Sequence, residues 1–116
     1  MENANASVNA NTKTLCLVPE YDILMDHLLA AYERCAYGKG KERHADDKLF
    51  ELQPIITEGT AFKTITPHLY QIRKKALELT RFATLDAKLN ELSDIIVYAC
   101  AARIILIELE RETCEK

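Results

Sequence analysis

Two glycines, three fixed cations and a histidine fall within Gly38-Lys39-Gly40-Lys41-Glu42-Arg43-His44-Ala45. Glycine lets backbone N–H groups turn toward a ligand with no Cβ in the way, and Lys and Arg bring charge and forked donors to phosphate or carboxylate oxygens. The segment lacks the GK[ST] ending of a P-loop and the GxGxxG of a dinucleotide fingerprint, so its chemistry is anion binding without a nucleotide-fold signature. Between Gly59 and Leu85 the bases Lys63, Arg73, Lys74, Lys75 and Arg81 face a single acid, Glu78. The candidate ligand-binding set is therefore Lys39, Lys41, Arg43 and His44, helped by Arg73, Lys74 and Lys75. The competing reading is a solvated basic connection with Gly38 ending a helix.

Glu91 and Asp94 stand three residues apart in Glu91-Leu92-Ser93-Asp94, on one face of a helix, a spacing that can hold a divalent metal. Asp22 and Asp26, at i and i+4 of an earlier helical segment, are the acids most able to complete such a set. The commoner fate of such acids is an exposed helix surface. Nucleophilic hydrolysis has little support, since Ser7 and Ser93 lack a nucleophile-elbow pattern. His27, His44 and His68 show no zinc spacing and are expected as surface or hydrogen-bonded residues, His44 alone joining the anion loop.

The elements that must carry these residues are helical, and the fold class is all-α. Residues 1–14, rich in Asn, Ala, Ser and Thr, are expected as a disordered tail, and 15–116 as one all-α domain. Pro19 can open a helix in which Tyr21, Leu24, Leu28, Tyr32 and Cys35 recur at helical spacing, with Gly38 as its stop. From Lys39 to Ile65, Gly40, Pro54 and Gly59 interrupt any sustained period. This stretch is expected to be the most loop-like, with Asp46 or Asp47 capping a short helical turn through Leu52. Thr66-Pro67 is a start signal, Thr66 as a side-chain cap followed by proline in the first turn, with Leu69, Ile72, Ala76 and Leu79 as the expected buried stripe. Thr84 can cap a last helix running to about Arg111, roughly 40 Å at 1.5 Å per residue, and the short connection between the two makes an antiparallel hairpin.

In that last helix Leu85, Leu89, Leu92, Ile96, Ala99 and Arg103 trace one row, and Ile95, Ala102, Ile105, Leu106 and Leu109 another. One hairpin partner cannot cover both, so either the first helix or a second subunit must. A homo-oligomer is expected, with Arg103, Ile96 and Ile107 at its interface.

The chain has 116 residues and a formal charge of −3, which suits one domain and argues against a generally basic nucleic-acid coat. Cys16, Cys35, Cys100 and Cys114 show no CxxC spacing, and with no apolar leader pattern at the start they point to a reducing, cytoplasmic setting. The apolar stretch from Ile95 to Ile107 contains Arg103 and is too short to span a bilayer, so no membrane partner is expected.

Two resemblances add to this reading. The order GKGKERHA, then Phe50 and Gln53-Pro54-Ile55, then Tyr70 with Lys74-Lys75, and finally Glu91 before Tyr98 resembles small all-helical proteins encoded by bacteriophages, over about 80 residues. That likeness implies origin in a phage or mobile element rather than a mechanism, although small phage proteins of this kind often act by binding host proteins or nucleotide signals. Separately, Glu91 through Tyr98 resembles the ExxD helix of MazG-type all-α nucleoside triphosphate pyrophosphohydrolases. That one-helix likeness implies Mg²⁺ held by Glu91 and Asp94 with acids from another helix. The family's preceding ExxE pair is replaced here by Arg73, Lys74, Lys75 and Glu78. The leading expectation is a non-enzymatic binder of a phosphorylated ligand, a nucleotide or cyclic nucleotide, with no cofactor. The alternatives are a Mg²⁺-dependent pyrophosphohydrolase and an interaction protein that inhibits a host factor.

Overall fold

In the computed structural model, which describes residues 17–38 and 48–114, every regular element among those residues is helical. The order is a single 3₁₀ turn at Pro19–Tyr21, helix α1 (Asp22–Tyr37), a second 3₁₀ turn at Phe50–Leu52, α2 (Pro54–Phe62), α3 (Thr66–Leu79) and α4 (Leu85–Cys114). The expected tail, the basic loop from Lys39 to His44 and the capping candidates Asp46 and Asp47 lie outside the described residues.

Local signals set most of the helix ends. Pro19 opens the first 3₁₀ turn, and the Gly38 N–H donates to the Arg34 carbonyl at 3.0 Å to close α1. Thr84 caps α4, its Oγ1 accepting from the Ala87 N–H at 3.1 Å. Pro67 occupies the first turn of α3 as expected, but the side-chain acceptor is Thr64, which takes the Thr66 N–H at 3.1 Å, not Thr66 itself.

Helix α2 corrects the expectation of a loop through residues 39–65. It is short and rich in β-branched residues and glycine, so propensity alone does not announce it. Pro54 starts it, and its inward residues Ile55, Ile56 and Gly59 are all buried. Gly59 lets it approach α4: a Cβ there would overlap the Ile105 side chain and lie 3.3 Å from the Thr64 carbonyl. Lys63 ends the helix in the left-handed region (φ 57°, ψ 43°), turning the chain sharply into α3.

Helix α4, about 45 Å long at 1.5 Å per residue, is the spine against which the other three pack. Its pairing with α3 is antiparallel, since Lys75 meets Glu91 and Asp94 while the earlier His68 meets the later Tyr98. The apolar core is Ile55, Ile56, Ala101 and Ile105, with Phe50, Ile65, Val97, Tyr98, Ile104 and Leu109 packed around it. Among the described residues no helix is long and apolar enough to cross a membrane, and Cys100 and Cys114 are exposed free thiols.

The phase of α3 also differs from expectation. Leu69 and Ala76 point outward, while His68 is buried and Lys75 is half-buried beside Ile72 and Leu79. The stripe is rotated by about one residue because the face of α4 that it meets carries carboxylates, which a lysine satisfies and a leucine does not.

Candidate functional site

At the level where α1, α3 and α4 meet, two acids and two cations close on one another. Glu91 and Asp94 are among the buried residues of α4, each only 8% exposed. Arg34 from α1 grips Asp94 with one edge of its guanidinium, Nε donating to Oδ1 at 2.9 Å and Nη2 to Oδ2 at 3.3 Å. From the other side, Lys75 of α3 places Nζ 3.5 Å from Glu91 Oε1 and 3.6 Å from Asp94 Oδ2. The same ammonium lies 5.9 Å from the centre of the Tyr98 ring, within cation–π range. Carboxylates taken out of water need opposite charge and donors within reach, and this quartet supplies both.

Tyr98 continues the arrangement toward His68, whose ring meets it edge-on at 5.9 Å between centroids. His68 Nε2 lies 2.5 Å from the Ile55 carbonyl, so that nitrogen carries a proton and ties α3 to α2. Its Nδ1 is buried with no hydrogen-bond partner among the described residues. His68 is thus hydrogen-bonded, one of the two fates expected of it, but as an interior residue. It borders an open recess of about 540 Å³ shared with Glu58, Tyr70, Gln71 and Tyr98.

The sequence-derived candidates separate into different places. Arg73 and Lys74 are exposed on α3 and, with Tyr70, Leu77, Glu78 and Arg81, line a shallow recess of about 230 Å³. Lys75, grouped with them in the sequence, turns inward to the acids. Lys39, Lys41, Arg43 and His44 lie outside the described residues. Glu91 and Asp94 are together as their spacing requires, but they are buried and ion-paired instead of displayed on a surface. Asp22 and Asp26 are exposed on α1, where the residue that reaches Asp94 is Arg34, two turns beyond Asp26, roughly 12 Å along the helix. Among the described residues no group of three or more His, Cys, Asp and Glu is placed to hold a metal ion.

Arg34 is the participant that sequence reasoning missed. It sits in the last turn of α1, where a basic residue is ordinary, and nothing local marks it as the partner of an acid sixty positions away.

A second, apolar feature lies between α1 and α4: an open groove of about 740 Å³ lined by Leu28, Ala31, Tyr32, Cys35, Ile96, Val97 and Cys100, with Lys48, Phe50 and Gln53 at one side. Of the residues expected at an oligomer interface, Ile96 is half-buried at this groove, while Arg103 and Ile107 are exposed. Compared with known proteins, the chain matches no family model, no curated protein and no solved structure.

Proposed function

We propose that this chain is a non-catalytic binding protein that takes a phosphorylated small molecule, of the nucleotide or cyclic-nucleotide class, on the outer face of α3. The observation that carries this reading is the opposite fate of its charges. Arg73, Lys74 and Arg81 stand in solvent around a recess that also holds the Tyr70 ring, whereas the acids with helical metal spacing, Glu91 and Asp94, are inside and already held by Arg34 and Lys75. Exposed cations beside an aromatic suit a phosphate and a stacked base. Carboxylates already held by ammonium and guanidinium groups suit structure better than metal-assisted hydrolysis. Lys39, Lys41, Arg43 and His44 add to the ligand set on the strength of their sequence pattern, and origin in a phage or mobile element rests on the sequence resemblance alone.

The test is a thermal-shift panel of nucleotides and cyclic dinucleotides, with and without Mg²⁺, followed by calorimetry on any hit. Stabilisation that grows with ligand concentration, needs no metal and releases no pyrophosphate is the expected result. Pyrophosphate release that requires Mg²⁺ would replace this reading with the hydrolase one. A second reading, docking of a host protein, is favoured by the apolar groove between α1 and α4. It predicts a chain that ignores the whole panel.

A further inference from the structure

Apart from the rows it buries, α4 carries a heptad pattern that is largely exposed, one member of which, Ile96, also lines the groove against α1. Leu85, Leu89, Leu92, Ile96, Ala99, Arg103, Leu106 and Glu110 follow one another at intervals of four and three residues. The residues that α4 buries, Glu91, Asp94, Ala101, Ala102 and Ile105, belong to other rows of the helix. Leu85 is 68% exposed, and Leu89, Leu92 and Leu106 stand between 46% and 51% exposed, although each falls where a coiled coil would place a knob. Monomeric proteins seldom leave in water an apolar strip like that from Leu85 to Ala99, which Leu106 resumes beyond Arg103.

We infer that this strip is a homodimer interface in which two copies of α4 pair in antiparallel orientation as a two-stranded coiled coil. The occupant is a second copy of the chain because the strip is self-complementary in pattern and sufficient in size. It runs roughly 38 Å from Leu85 to Glu110 at 1.5 Å per residue. Two copies laid along it bury on the order of 1,000 Å² or more, which reaches the range of specific interfaces. Charge decides the direction. A parallel pair stacks Arg103 on its own copy and Glu110 on its own copy, two like-charge layers in the seam. An antiparallel pair sets each of these positions against the other row of the heptad instead, so that Arg103 faces the partner's Leu92 and Glu110 the partner's Leu85. In the register that uses all eight residues, Leu89 meets the partner's Leu106 and Ile96 meets the partner's Ala99. The seam is on a different helix face from the α3 recess, so it does not depend on the ligand reading.

Sedimentation equilibrium on the full chain across a micromolar concentration range gives the mass of two 13.2 kDa chains if the inference holds. A single-chain mass throughout that range overturns it. Leu89→Glu with Leu106→Glu places charge on exposed positions, so the helical circular dichroism persists while the dimer dissociation constant rises by on the order of a hundredfold or more. A dimer undisturbed by these changes places the contact elsewhere and sinks the proposal. Direction is read by mixing two cysteine variants, Ile96→Cys and Ala99→Cys, in a background whose native cysteines are serine. Antiparallel pairing gives disulfides between the two variants in the mixture. Disulfides forming mainly within each variant alone would show a parallel pair and overturn the orientation.

Discussion

Arg34 and Asp94 are joined by two hydrogen bonds, 2.9 and 3.3 Å, across sixty residues of sequence. The pair fastens α1 to α4, and its acid is shared with Lys75 of α3, so one carboxylate ties three helices together. A pair this enclosed contributes modest net stability compared with a well-packed apolar substitute, but breaking it from one side leaves a charge without its partner.

Asp94→Ala is therefore expected to cost about 2–4 kcal/mol, because Arg34 loses the carboxylate it grips while partly shielded from water and Lys75 is left with Glu91 alone. Arg34→Ala should cost less, since Asp94 keeps Lys75. Urea denaturation of the two single variants and the double variant measures this. Additive effects, with no coupling between the two positions, would show that the pair contributes nothing as a pair.

Gly59→Ala should destabilise the chain by about 1–3 kcal/mol, since the new methyl group meets the Ile105 side chain at the closest approach of α2 to α4. Combining it with Ile105→Val returns part of the loss by opening room at the contact. A Gly59→Ala variant at least as stable as the parent, which helix propensity alone would favour, would show that α2 does not sit this close to α4.

Replacing Arg73, Lys74 and Arg81 together by Gln removes three exposed charges, and the melting temperature should change little because surface pairs contribute little. Affinity for a phosphorylated ligand should fall by about 1.5–3 kcal/mol for each charge-assisted bond lost, and more weakly at high salt. Calorimetry at two salt concentrations reads both effects. Equal affinity in parent and variant would remove the α3 recess from the ligand site.

Millimolar Mg²⁺ should leave the melting temperature unchanged, because the oxygens of Glu91 and Asp94 already face Lys75 and Arg34. A rise that disappears in Glu91→Gln would give these acids a metal-binding role and favour the pyrophosphohydrolase reading.

The all-α class and the ends of α1, α3 and α4 were legible because their signals are local: Gly38 at a helix end, Pro67 in a first turn, Thr84 accepting from the N–H three residues on. The pairing of α3 with α4 was legible too, since the few residues between them leave little choice of direction. Helix α2 was not, because nine residues with little helix propensity are held by burial of Ile55 and Ile56 against α4, a contact about fifty positions away. The spacing of Glu91 and Asp94 could be read from the sequence, while their burial could not. Whether a carboxylate is displayed or enclosed depends on what stands opposite, and Arg34 and Lys75 reach it only once three helices have packed. The same dependence rotated α3, turning Leu69 outward and Lys75 inward. Sequence by itself determined that α1, α3 and α4 coil and set caps at their ends, because backbone hydrogen bonds and caps act within a few residues. Tertiary structure alone decided which faces meet, because the cost of enclosing a charge is set by partners that only folding brings near.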